Sequence, residues 1–276
     1  MKELLYKFKE KLFQNNNIII QNTSIKKFVI HNDWIILFSD NKFCSFLLVF
    51  DKTKHSILSQ ALNRFIGKKL SRCFEIAHTY SDEISQILYV SLINLISSYF
   101  NQNSELNKRN VNYSIGKTNI TDYIDTNSKV LIIGFGGIAK TMAKTGCYLY
   151  ITDMRPESEF TQKIKDLKLI NKNIEFVPYE NQLEYIKKCS HFVITGSILT
   201  NSGLKTILDN AGQNTFKMMY GPSASLMPEL LFDIGINAIL TYRINDIMTF
   251  ENELNNSDLD IERILKNSQE KITYIK

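Results

Sequence analysis

The chain has 276 residues, 44% hydrophobic and 22% charged, with a formal net charge of +5. That is enough for one large globular domain or two ordinary ones, each able to bury a core. No apolar run approaches the ~18 residues of a membrane span, which argues against a membrane partner. The excess positive charge lies in residues 1–128, with 16 Lys+Arg against 11 Asp+Glu, while residues 129–276 carry 17 of each. Nucleic-acid-binding domains concentrate more charge, interleaved with aromatics, on one face. A solvated basic face is therefore expected, and nucleic acid is not.

In chain order, MKELLYKFKEKLF predicts an amphipathic helix with Leu4, Leu5, Phe8 and Leu12 on one stripe. It lacks the small-residue cleavage site of a signal peptide, and a cytoplasmic location is the expectation. Residues 25–50 hold three apolar, β-branched and aromatic runs. His31-Asn32-Asp33 and Asp40-Asn41-Lys42 separate them as turns, predicting an antiparallel meander. Helices are expected over about 55–66 and over 81–100. In the second, Ser81 is an N-cap candidate, and Ile84, Ile87, Leu88, Leu92, Leu95, Ile96 and Tyr99 recur at helical spacing. The polar, aperiodic stretch 101–114 reads as a linker.

Punctuation then changes. Residues 1–128 hold two glycines and no proline; residues 129–276 hold nine glycines and all four prolines. Strands are predicted at 129–133, 147–152, 174–178, 191–195, 216–220 and 238–242. Helices are predicted near 138–145, 158–169, 181–189, 201–210 and 225–234, and a charged tail after 251 ends in a further helix. The fold class is therefore α/β: a doubly wound, mostly parallel, Rossmann-like sheet over 113–276, preceded by a smaller α+β domain over 1–112.

Gly134-Phe135-Gly136-Gly137-Ile138-Ala139 follows a strand and opens a helix, matching G-x-G-x-x-A in its required context. Asp153 ends the next strand, where an acid can accept from a ribose hydroxyl. The helix between them is barely two turns, too short for an ordinary dinucleotide site, so a ligand-binding turn of modified kind is expected. Ligands of doubly wound sheets gather at the carboxyl ends of the strands. Small and polar residues recur at that edge: Thr195, Gly196, Ser197 and Asn201 after the fourth strand, Gly221-Pro222-Ser223-Ala224-Ser225 after the fifth, and Arg243 after the sixth.

Ser223 sits on a strand–turn–helix, but Ser225 replaces the last glycine of a nucleophile elbow and no histidine follows His191. A serine nucleophile is thereby disfavoured. Ser225 reads as an N-cap, and the Ser223 region as an anion cradle. Among the histidines, His191 lies at the wrong sheet edge and His31 and His55 read as surface. His78 precedes the strong helix, with neighbours Glu75, Asp82 and Glu83 placed to face the second domain, although a structural histidine is the plainer reading. Cys44, Cys73, Cys147 and Cys189 are scattered and read as small buried hydrophobes of a reduced protein. Neither residue type shows metal-ligand spacing.

The stretches KVLIIGFGGIAKTMAK, FVITGSILTNSGLKTIL and above all MYGPSASLMPELLFDIGINAILTYRINDI resemble the putative heavy-metal chelation family. That resemblance implies a Rossmann-like C-terminal domain joined to one similar to the N-terminal part of enolase, with SDEISQILYVSLINLISSYF as the latter's long helix. It also implies an inter-domain pocket carrying Gly134, Gly136, Asp153, Thr195, Gly196, Gly221, Pro222, Ser223 and Arg243. The resulting expectation is a small-molecule-binding protein, with enzyme activity left open. Backbone amides at Gly136–Gly137 and Gly221–Ser223 would hold an anionic or metal-chelating ligand, and Asp153 would read a hydroxyl or amine. A metal ion or metal chelate is the cofactor class this suggests. NAD or S-adenosylmethionine is the alternative, and the sequence leaves a homo-oligomer open.

Overall fold

The computed structural model describes all residues except 16, 42, 50, 117–119 and 257–260; Lys42 of the expected second turn therefore lies outside it. The chain opens with helix α1 (Lys2–Asn15) and a short α2 (Asn17–Asn22). Leu5, Phe8 and Leu12 are buried, so the predicted apolar stripe is the face that α1 turns inward. Strands β1 (Ile25–His31), β2 (Trp34–Ser39) and β3 (Cys44–Leu48) then form the antiparallel meander. Asn32, at the β1–β2 bend, adopts a positive φ of 50°, which asparagine tolerates better than most residues.

Helices α3 (His55–Asn63), α4 (Leu70–His78) and α5 (Asp82–Phe100) follow. Helix α4 was not foreseen, although Leu70, Cys73, Phe74 and Ala77 make a buried stripe at helical spacing. Helix α5 is apolar nearly all round and is buried accordingly. The expected linker, 101–114, contains helix α6 (Asn103–Lys108) and runs into a strand, β4 (Tyr113–Ile115).

The second half alternates as predicted: β5 (Lys129–Ile133), α7 (Ile138–Ala143), β6 (Tyr148–Asp153), α8 (Thr161–Ile170), β7 (Ile174–Pro178), α9 (Gln182–Lys188) and β8 (His191–Thr195). Then come α10 (Gly203–Asn210), β9 (Phe216–Tyr220), α11 (Pro228–Asp233) and β10 (Ala238–Ile244). The tail adds α12 (Ile247–Asn256) and α13 (Ile261–Ser268) but ends in a strand, β11 (Gln269–Ile275), where a helix was expected. Strand β11 pairs antiparallel with β10 and β4, giving the order β4-β11-β10-β9-β8-β5-β6-β7. The six strands from β10 to β7 are mutually parallel. Strand order reverses between β5 and β8, the switch point at which such sheets leave a crevice.

Alternation along the strands divides the core. Val130, Ile132, Leu149 and Ile151 face α7 and α8 in one cluster. Leu131, Ile133, Phe192 and Ile194 belong to another, with side chains of α9, α10 and α11. That second cluster continues without a break into α1, α4, α5 and the inner face of the meander. The meander's outer face, Ile36, Phe38, Cys44 and Phe46, packs on Phe250, Leu254 and Ile264 from α12 and α13. Among the described residues, no helix is long and apolar enough to cross a membrane.

Because one apolar cluster serves both halves, we expect a single unfolding transition with coincident fluorescence and circular-dichroism midpoints in urea. Leu92→Ala, at a fully buried position of α5, should cost about 2–5 kcal/mol in that measurement.

Candidate functional site

The turn after β5 is built against its neighbours. Gly134 has a φ of +90°, a conformation that side chains disfavour. A Cβ there would also fall 2.8 Å from Thr195 Cβ at the end of β8. Its N–H donates to the Thr152 carbonyl at 2.8 Å, extending the β5–β6 pairing by one residue. The Tyr220 hydroxyl, at the end of β9, donates to the Gly134 carbonyl at 2.5 Å. The Tyr220 hydroxyl oxygen would also lie 2.9 Å from a Cβ at Gly136. A side chain from the sheet itself therefore occupies the floor of the glycine turn. Burial pushes the Tyr220 phenol pKa up, which keeps it a neutral donor. Helix α7 has only six residues, so the turn leads into an even shorter helix than expected.

Asp153 is committed as well. Its Oδ1 accepts from the Arg155 amide at 3.0 Å and from Arg155 Nε at 2.9 Å. Its Oδ2 accepts from the Phe135 amide at 2.7 Å and from an Arg155 terminal nitrogen at 2.9 Å. Four bonds use the acceptor capacity of a carboxylate. Burial alone would raise its pKa, but the bonds from Arg155 and from the Phe135 amide outweigh it and hold the carboxyl below its usual range. Asp153 thus clamps the glycine turn. All four of these bonds are made inside the protein.

The Gly-Pro-Ser segment is also structural. Gly196 packs so closely on this loop that a Cβ would fall 2.7 Å from the Ser223 carbonyl carbon. The Ser223 hydroxyl is buried and accepts the Leu48 amide of β3 at 3.0 Å. Its carbonyl accepts from Asn94 Nδ2 of α5 at 3.3 Å, and the Ser225 carbonyl accepts from Asn101 Nδ2 at 3.0 Å. Ser225 Oγ bonds the Tyr242 carbonyl at 2.9 Å, and α11 begins only at Pro228, so Ser225 is not its N-cap. The segment read as an anion cradle clasps the two halves together. The sequence reading missed Asn94 and Asn101. The signal was present: an amide in the middle of LYVSLINLISSYF has no reason to be there unless it meets a partner.

Arg243 lies outside the crevice. It forms an ion pair with Glu270, through Nε at 2.8 Å and a terminal nitrogen at 2.6 Å, and donates to the Asn101 carbonyl at 3.1 Å. Strand β11, unforeseen in the sequence, sets Glu270 directly across from it. His78 likewise faces Tyr6 of α1, with its Nδ1 2.7 Å from the phenol oxygen.

A cavity of about 960 Å³ opens between the halves. Gly134, Gly136, Gly137, Asp153, Thr195, Gly196, Gly221, Pro222 and Ser223 all border it, so the turns after β5, β6, β8 and β9 converge on one space; Arg243 does not reach it. The facing wall is Trp34, Leu48, Asp51, Lys54 and Glu83. Lys54 bridges Asp51, at 3.2 Å, and Glu83. Lys271 of β11 also borders the cavity and forms no ion pair among the described residues.

Residues 119–257 match the model of the DUF364 family, described as putative heavy-metal chelation. The chain belongs to the DUF364 family. Two solved DUF364 proteins of unknown function share its fold. One, from Pyrococcus horikoshii, is 16% identical over 99% of this chain and 100% of that one, with a TM-score of 0.67. The other, from Desulfitobacterium hafniense, is 13% identical over 100% of both, with a TM-score of 0.71. Comparison with curated proteins returns no match.

Among the described residues, no group of three His, Cys, Asp or Glu side chains could hold a metal ion. All four cysteines are buried and free. Burial pushes the Cys73 and Cys189 thiols up to about 12, away from the thiolate that metals bind. These residues do not fit a metal centre built by the DUF364 chain alone.

Two outcomes check this description. Gly196→Ala, which drives a methyl into the Ser223–Ala224 peptide, should lower the urea midpoint markedly, whereas Gly137→Ala meets open space and should change it little. For Asp153, a depressed folded pKa stabilises above the unfolded value of about 3.9, and that stability is lost as pH falls through the folded value. The stability difference between wild type and Asp153→Asn should therefore be largest near pH 7 and shrink below about pH 4 in denaturant titrations.

Proposed function

We propose that this DUF364 chain binds a small organic chelator, free or as its metal complex, in the cavity between its halves, and so serves metal or metal-chelate handling. The observation that carries the reading is the mixed charge of the cavity wall. Lys54 is shared by two carboxylates on one side, Arg155 is neutralised by Asp153 on the other, and Lys271 remains as a cation without an ion pair among the described residues. Chelators carry carboxylates beside amines or hydroxyls, and a wall offering both signs complements them. The lack of a protein-built metal cluster among the described residues favours a cargo that brings its own metal donors. Trp34, Phe135 and Tyr242 add apolar surface around these charges, as small-molecule sites do. No residue is assigned a catalytic role.

Trp34 is the only tryptophan of the chain and borders the cavity, so its fluorescence reports occupancy. Citrate, EDTA and their Fe(III) and Ni(II) complexes are the probes. A complex that binds should shift Trp34 emission and, at 100 times its Kd, add about 2.7 kcal/mol of stability. Lys271→Ala should weaken it severalfold. An unchanged spectrum and Tm with all six would reject the reading. A response to NAD or S-adenosylmethionine instead would favour a nucleotide cofactor.

A further inference from the structure

Two buried polar side chains on the cavity wall have polar atoms without a partner in the protein. Thr152 is fully buried, and its hydroxyl makes no hydrogen bond. Gln182 is 5% exposed, and its amide oxygen makes none. Both residues border the cavity.

The fold explains why they belong together. Tyr150 lies two residues before Thr152 in β6, so the two share a face of the sheet. Tyr185 lies three residues after Gln182 in α9, so those two share a helix flank. The Tyr150 and Tyr185 rings touch, with centroids 4.8 Å apart. One step nearer the carboxyl edge, the same two rows continue to Thr152 and Gln182, and both border the cavity. Buried polar groups in folded proteins are nearly always hydrogen-bonded, and leaving them unpaired is costly. Here that cost falls on residues that border a cavity; both atoms are closed to solvent, so a bound molecule relieves it by way of a side-chain rotation at the cavity wall. Beside the pair, Met154 and Tyr179 border the same cavity and are 68% and 41% exposed. These large apolar side chains are left in water by the protein's own packing.

We propose that this corner, between the end of β6 and the first turn of α9, is a subsite for a neutral, planar, nitrogen-bearing heteroaromatic ring. An N–H of the ring edge would donate to the Gln182 amide oxygen, and the Thr152 hydroxyl would donate to a ring nitrogen. Met154 and Tyr179 would cover the ring's faces. A carboxylate does not suit the corner, because the amide oxygen and the nearby Asp153 repel it. The inference rests on the reading that the cavity holds a small molecule, and it adds a second chemical group to that molecule.

Adenosine is the probe, with Fe(III)–citrate as the ring-free comparison. Its affinity is measured by calorimetry for wild type, Thr152→Val and Gln182→Leu. We expect adenosine to bind wild type and to lose at least tenfold in each variant, while Fe(III)–citrate affinity stays within about twofold. Without any probe, both variants should melt no lower than wild type, because each replaces an unpaired buried group by an apolar one of similar size. Adenosine binding that is equal in all three proteins overturns the subsite. So does a variant that melts well below wild type, since the group would then have an internal partner. If Fe(III)–citrate binds and adenosine does not, the subsite fails and the cavity reading stands; if neither adenosine nor any of the chelator probes binds, both fail.

Discussion

The architecture depends on one set of buried hydrogen bonds, those between the loop after β9 and the first half of the chain. Ser223 takes the amide that ends β3, while Asn94 of α5 and Asn101, just past its C-terminus, reach the carbonyls of Ser223 and Ser225. Amides inside an apolar helix are tolerated only where such partners exist. They therefore fix the register of α5 on the parallel sheet in a way that apolar packing alone would not. Arg109 and Glu229 add an ion pair at the same junction. With α5 so fixed, the edge of the meander overhangs the switch point between β5 and β8, and a cavity follows from the geometry.

That cavity differs from the crevice of a nucleotide-binding sheet in what its floor already holds. Tyr220 reaches across from β9 to the glycine turn, and Asp153 spends its lone pairs on Arg155 and Phe135. Arg155 in turn lies over the Phe160 ring, 4.6 Å from its centroid. At the glycine turn, the protein's own side chains take the Gly134 carbonyl and the Phe135 amide. What remains open is the space toward Trp34 and Lys54 on one side and toward Gln182 on the other.

Much of this was legible in the sequence. All six parallel strands and the five helices between them fall where apolar runs and glycine or proline turns put them, because a sheet covered on both faces writes near-continuous hydrophobic runs. The pooling of the turns after β5, β8 and β9 followed from that topology. Side-chain commitments were not legible. Arg243 looked available because Glu270 sits on β11, whose Ile272 and Tyr274 are buried within a tail that reads as charged. Asp153 looked like a ribose acid because nothing in the spacing showed that Arg155 folds back onto it. Asn94 was visible as an anomaly of α5, and its partner lies 129 residues away, beyond the reach of any local pattern.

The central claim is that the clasp holds a cavity open between Trp34 and the glycine turn for a small molecule. A crystal structure of the protein purified without a metal-affinity tag, from cells grown in metal-supplemented medium, tests it most directly. The account predicts density for an organic molecule, with or without metal, bounded by Trp34, Lys54, Lys271 and Gln182, with the Ser223–Asn94 contact intact. A cavity closed by inward rotation of Trp34 and Phe135, or halves docked without that contact, would contradict it.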